Sequence, residues 1–460
     1  MSAANETHTG KLAEFCSRVS IDSLPKEAVE KAKLCVLDFI ANVYGSQQLE
    51  IVGKIGEYVK TFGGQGDATA LGLGFKTGPH NAAFINGVAG EAIEAQDGLR
   101  FGGNHPGAAV IPAALAVAEQ TGQGGARFIE SVIAGYEAAN RVSASVHPHH
   151  TLSGFLPTGT CGTFGAAAAA SRMMGHDAET TLASIGTAGF ILPISMAEHL
   201  MGGYSAKIVQ GGQAASAGIT AAGLAAAGIT APPYTLEGSS LKGGFTQITT
   251  RGSFDINKIT SGLGEKYTIM DIYFKPYTSC RHTHGAAQAA QELKAAERID
   301  IAEIERIDVF TYAIATVAVG KTIGPEDSFV SAQFSLPYVV AACLAHGDMS
   351  AEQLKADSIS DARIVELAKK VKVSIDPELN KAYPDKTSSR VELTLAGGRK
   401  AVRQTDIPKG DPRNPMTADD IAEKLKRFSA GLDADRARRI TDLVLDIENV
   451  KSISDLTSLI

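Results

Sequence analysis

The chain has 460 residues, 44% of them hydrophobic, with 43 basic and 50 acidic side chains and a formal net charge of -7. That length exceeds what one compact core usually sustains, so two domains are expected. No basic run is long enough to track a phosphate backbone, which argues against a nucleic-acid partner.

The N-terminal segment MSAANETHTG has neither a basic region nor an apolar core, so no secretory leader is expected. Helical periodicity then dominates. Lys26 to Tyr44 places Val29, Ala32, Leu37, Ile40 and Val43 near one face, between Pro25 and Gly45. Similar patterns cover Asn81 to Glu94, Ala108 to Glu119, Arg127 to Val142, Thr158 to Met174, Glu179 to Ala188 and Ala206 to Ala227. The longest small-apolar stretches are built of Ala and Gly and lack the bulky run of about 20 residues that spans a bilayer, so no membrane segment is expected. The 48 glycines and the absence of Trp fit tightly packed helices.

Past Gly228 the texture loosens around Pro232, Pro233, Gly238, Gly243 and Gly244, which marks a boundary region before Lys275. Strand-like runs follow at Ile304 to Tyr312, Val371 to Ile375, Arg390 to Leu395 and Ala401 to Thr405. They alternate with helices at Gly285 to Ala296 and Ala332 to Ala345. Thr417 to Arg427 and Ala434 to Ile447 return to helix. The expected architecture is mainly α: a large helical bundle of residues 1–265 joined by 407–460, and a smaller α+β domain of residues 266–406.

Several motifs fail on inspection. Gly320-Lys321-Thr322 ends like a phosphate-binding loop, but its first glycine would fall at Ala315. Gly72-Leu73-Gly74 lacks the third glycine of a dinucleotide fingerprint and reads as a turn. Cys280-Arg281-His282-Thr283-His284 offers ligand types at alternate positions without the rest of a tetrahedral set, so no metal and no cofactor are expected. Cys16, Cys35, Cys161, Cys280 and Cys343 are odd in number and scattered, which suits reduced thiols in the cytoplasm.

Asn104 to Leu115, reading Asn-His-Pro-Gly-Ala-Ala-Val-Ile-Pro-Ala-Ala-Leu, resembles the histidine-proline motif and following helix of the MmgE/PrpD family. Thr158 to Ala167, Lys207 with Gly212 and Ala214-Ala215, Cys280 to His284, Ser331 to Tyr338, and Pro408 to Asp411 with Asn414-Pro415 resemble further family blocks in the family's order. The resemblance implies that the smaller α+β domain is a lid, and it implies a homodimer, no metal, and chemistry beside a carboxylate. Dehydration of 2-methylcitrate, decarboxylation of cis-aconitate and epimerisation of iminodisuccinate all occur in the family. The expected function is a metal-independent hydro-lyase that removes a proton alpha to a carboxylate of a small polycarboxylate related to citrate or 2-methylcitrate. An epimerase of a dicarboxylate or amino-dicarboxylate is the alternative, followed by a decarboxylase or a non-catalytic carboxylate binder.

The resemblance assigns catalysis to His105, Asp97, Lys207, His282 and His284, and substrate binding is expected at Arg100, Asn104, Thr158, Gln210 and Arg281. His105 precedes a helix whose N-terminus favours an anion. Arg100 offers a planar fork for a carboxylate. Glu94 and Asp97 are three apart on an expected helix, hence on one face. Four departures bear on the substrate: Glu91 and Gln210 stand where the family has histidine, Gly98 where it has threonine, and Leu156 where its dehydratases and decarboxylases commonly have histidine. His147, His149 and His150 lie just upstream as spatial substitutes for the last.

Overall fold

Small residues set the spacing of the helices in the N-terminal half. In the computed structural model, Lys26–Ser46, Pro79–Glu91, Gly107–Thr121, Gly125–Val146, Pro157–Met174, Ala178–Ile191 and Gln210–Ala226 are helical. The structure describes residues 6–297 and 299–460; residues 1–5, the start of the segment read for a leader, lie outside the described residues. Gly135 and Gly165 bring two of these helices together. A Cβ on Gly135 would fall 2.9 Å from the Gly165 carbonyl oxygen, and one on Gly165 would fall 2.7 Å from that of Gly135. Backbone meets backbone there, which a bulkier pair would prevent.

A second close approach shapes the site. A Cβ on Gly212 would lie 2.2 Å from the Phe84 carbonyl oxygen, and one on Gly87 would lie 2.6 Å from the Gly212 Cα. The start of the Gln210–Ala226 helix is thereby pressed onto Pro79–Glu91, carrying Gln210 to Glu91.

Two expectations about helices are corrected. Pro79–Glu91 stops at Glu91 rather than Glu94, because Glu94 adopts φ 55°. Glu94 and Asp97 therefore do not share a helical face. The helix read over Ala332 to Ala345 is two, Phe329–Gln333 and Leu336–His346, divided where the Ser335 hydroxyl caps the second by accepting from the Tyr338 N–H. Pro337 suits the first turn of that second helix, where its missing N–H has no partner to lose. Gly72-Leu73-Gly74 is the turn of a hairpin between Ala68–Ala70 and Phe75–Thr77.

In the C-terminal half, four strands run in the order Val371–Ile375, Ile304–Thr311, Ser389–Leu395, Lys400–Thr405. The first pair is parallel, with Val309 opposite Val373, and the others are antiparallel, with Val309 opposite Val391. Ser389–Leu395 alternates buried and half-buried residues, as expected of a strand with one covered face. The His284–Glu297 helix packs on it and on its neighbour Lys400–Thr405.

Strand pairing and helix packing both tie the halves. Gly98–Leu99 pairs antiparallel with Ile272–Tyr273, and the late helix Ala418–Phe428 packs against Lys26–Ser46. Among the described residues, no helix is long and apolar enough to cross a membrane.

Candidate active site

The segment leaving Pro79–Glu91 positions the first set of groups. Glu94, held left-handed, turns its side chain inward, an unusual conformation for a non-glycine residue and one that concentrates at functional sites. Asp97 then organises the return. Its Oδ1 accepts from the Gly107 N–H at 3.1 Å, capping the helix that begins there, and its Oδ2 accepts from the Tyr136 hydroxyl at 2.6 Å. Its backbone carbonyl accepts from His105 Nδ1 at 2.6 Å. A carbonyl can only accept, so the proton sits on Nδ1 and Nε2 keeps its lone pair. Thr158 Oγ1 holds the His105 backbone N–H at 3.0 Å.

Gly98 makes this arrangement possible. A Cβ there would meet the Tyr273 hydroxyl at 2.5 Å and His105 Nδ1 at 2.9 Å. The phenol fills the space beside the imidazole that any side chain at position 98 would need.

Lys275, Glu94 and Lys207 act electrostatically on His105, and Glu91 extends their cluster. Lys207 Nζ contacts Glu91 Oε1 at 3.1 Å and also binds Glu94, whose other oxygen takes Lys275 Nζ at 2.7 Å. Lys275 also donates to the Glu94 carbonyl at 3.1 Å. All four residues are at most 4% exposed. Burial opposes the Glu94 charge, yet Lys207 and Lys275 hold its carboxyl well below the usual range. Burial likewise opposes the charge on Lys207, which Glu94 and Glu91 outweigh. Burial raises Glu91 despite Lys207. Burial, reinforced by Lys275, pushes the His105 imidazole down to about 3, so it is neutral near pH 7. Burial raises Asp97 to about 7.

A second set comes from the turn Arg281–Thr283 and the helix it starts. Arg281 lies over the Tyr273 ring, 5.0 Å from its centroid, and donates to the carbonyls of Lys409 and Pro408. The two histidines differ. His284 is fully buried; its Nε2 donates to the Ser279 carbonyl at 3.0 Å and its Nδ1 accepts from Arg281 at 3.3 Å, so both nitrogens are engaged. His282 uses Nδ1 with the Tyr312 hydroxyl at 2.7 Å, and its Nε2 has no protein partner among the described residues. Burial, then Arg281, lowers it to about 4.

A cavity of about 220 Å³ opens beside Lys207 and Gln210, with Leu156 and His199 in its wall. Gln210 Nε2 donates to Glu91 Oε1 at 2.6 Å, and its Oε1 is buried with no partner. Of the upstream histidines, none joins this wall. His149 is exposed, His147 is half-buried near Gly103, and His150 is buried with Nε2 on Thr160 Oγ1 at 2.7 Å.

Residues 10–257 match the MmgE/PrpD N-terminal domain and residues 277–449 the MmgE/PrpD C-terminal domain. The chain belongs to the MmgE/PrpD family. It is similar to cis-aconitate decarboxylase of Aspergillus terreus, 26% identical over 100% of this chain and 97% of that protein. It is also similar to cis-aconitate decarboxylase of Mus musculus, 25% identical over 98% and 93%, and to a cis-aconitate decarboxylase-like protein of Aspergillus oryzae, 24% identical over 98% and 97%.

Within the family's two domains, the first supplies Glu91, Glu94, Asp97, His105 and Lys207, and the second Arg281, His282 and His284. Tyr273 and Lys275 lie between the two matched stretches. Sequence reasoning passed over both, although a lysine inside the aromatic run Tyr273-Phe274-Lys275-Pro276-Tyr277 is the signal of a buried cation needing a partner. His199 was also missed, since nothing local ties it to Leu156. Two expected binding residues are engaged by protein groups. Arg100 donates to the Pro384 and Asp385 carbonyls at 2.7 and 3.2 Å and lies over Phe101. Asn104 is fully buried, with Nδ2 on Asn140 Oδ1 at 3.1 Å.

Proposed function

We propose that the protein is a lyase acting on a small polycarboxylate related to citrate or 2-methylcitrate, with dehydration as the reaction. The supporting observation is His105: its Nδ1 is committed to the Asp97 carbonyl, which leaves the Nε2 lone pair free on a ring that feels the charges of Lys275, Glu94 and Lys207. Nε2 removes a proton alpha to a substrate carboxylate, and the electron pair left on carbon becomes enolate-like charge on that carboxylate. Lys275, Lys207 and Arg281 are the groups available to hold it in a water-poor site. The charge then collapses to form the double bond as the hydroxyl leaves, protonated by the His282–Tyr312 pair, giving an unsaturated acid and water. Asp97 orients the base, Thr158 holds its backbone, and His284 orients Arg281. No cofactor enters this scheme.

Decarboxylation is the second reading, supported by the names of the relatives. There the carbon–carbon bond to a carboxylate breaks, carbon dioxide leaves, and a protonated group returns a proton to carbon. Proton NMR of the chelator-treated protein in deuterated water, with citrate, 2-methylcitrate, cis-aconitate and iminodisuccinate, separates the readings. Olefin formation or hydration supports dehydration. Loss of carbon dioxide selects the second reading, and exchange at one carbon without loss of a group selects epimerisation. Silence with all four sinks the lyase.

A homodimer and a cytoplasmic setting belong to the same proposal. Phe190, Ile194, Met196, Met201 and Tyr204 are exposed within one short stretch, and clustered apolar exposure of this kind supports an interface. Sedimentation at micromolar concentration is expected to give twice the 47.9 kDa chain mass. The five cysteines are free, in keeping with a reducing compartment.

A further inference from the structure

We infer that the substrate arm entering the cavity beside Lys207 is uncharged, an alkyl or hydroxyalkyl branch rather than a further carboxylate. The inference rests on the carboxylate-site reading above and specifies its substrate. The cavity is bounded by Leu156, Pro193, Ile194, Met196 and Val209 on its apolar side. Its volume of about 220 Å³ holds the equivalent of about seven waters, the room of a short branch.

Its polar wall does not call for an anion. Lys207, the lysine in that wall, already binds Glu91 and Glu94, so an incoming carboxylate would meet a cation with two anions behind it. Gln210 presents an acceptor. Because its Nε2 is committed to Glu91, its unpartnered, buried Oε1 can satisfy itself only with an incoming donor. A carboxylate there would set oxygen against oxygen, whereas a hydroxyl could donate. His199 offers ring nitrogens to the same hydroxyl. A purely alkyl branch would instead bury its methylenes against Leu156 and Val209. Arg281, outside that wall, is bound to the Lys409 and Pro408 carbonyls and to His284 rather than to a carboxylate, and the ionised end belongs there.

Isothermal titration of the full chain with succinate, 2-methylsuccinate, 2-propylsuccinate and tricarballylate tests this. The last two differ in whether the branch ends in an alkyl group or a carboxylate. Affinity should rise about 3- to 4-fold for each methylene buried, and 2-propylsuccinate should bind more tightly than tricarballylate. Leu156→Gln should flatten the alkyl series, with a melting curve like that of the wild type. A flat wild-type series, a preference for tricarballylate, or no binding by all four acids overturns the inference. The two readings fail separately. Turnover that favours citrate over 2-methylcitrate refutes the uncharged arm and leaves the lyase, whereas a rising alkyl series without turnover of any acid leaves the arm and refutes the lyase.

Discussion

Two buried clusters in this protein contain lysine and carboxylate, and they are built differently. Lys424 binds Asp38 Oδ1 at 2.6 Å and the Ala95 carbonyl at 2.8 Å, while Asn42 donates to Asp38 Oδ2. Its partners are all protein groups. The cluster of Lys207, Glu91, Glu94 and Lys275 borders a cavity, adjoins a histidine with a free lone pair, and includes a left-handed glutamate. A buried ion pair is weak evidence of either stability or function. Access and unspent hydrogen-bonding capacity separate a working cluster from a clamp.

The largest expected effect is on the working side. His105→Gln should lower turnover about 10²- to 10⁴-fold, the usual share of a positioned base, with the thermal midpoint little changed. Steady-state rates and a melting curve on one preparation decide it; a variant retaining most of its activity removes His105 as the base.

The clamp should respond in the opposite sense. Lys424→Met leaves Asp38 buried without its cation and is expected to cost about 3–5 kcal/mol of stability, measured by urea unfolding. Lys207→Met should cost activity more than stability, because Glu94 keeps Lys275 and Glu91 keeps Gln210 and the Gly211 N–H. If the two variants lose stability and activity in the same proportion, the distinction between the clusters is wrong.

The smallest effect is a pH dependence at Asp97. Burial holds its folded pKa at about 7, above the ordinary 3.8. The protonated native form therefore contributes stability that is fully present below the unfolded pKa and lost as pH rises through the folded one. Across that window the wild type should lose at most about 1.4 kcal/mol per pH unit relative to Asp97→Asn, which cannot ionise. Unfolding midpoints of both proteins at pH 5 and pH 8 measure the difference; parallel curves would show that Asp97 does not carry the slope.

Much of this was readable in the chain. Periodicity located the helices because burial on one face repeats every turn, and Ala and Gly announced close packing. The His105 and Lys207 blocks were recognisable as short local patterns. The helical reading through Glu94 failed because good helical residues there are overridden by pairing with two lysines far away in sequence. Neither the contrast between His282 and His284 nor the role of Gly98 under Tyr273 could be read locally.

The sequence by itself thus determined helix positions, the small-residue contacts they need and the types of group available for catalysis, since these follow from interactions among neighbours along the chain. Only the tertiary structure decided which lysine meets which glutamate, which histidine keeps a free nitrogen, and that Leu156 and His199 share a wall. The lysine–glutamate pairs and the shared wall join segments more than forty residues apart, and the histidines differ by which buried groups their rings reach; no local pattern encodes these outcomes.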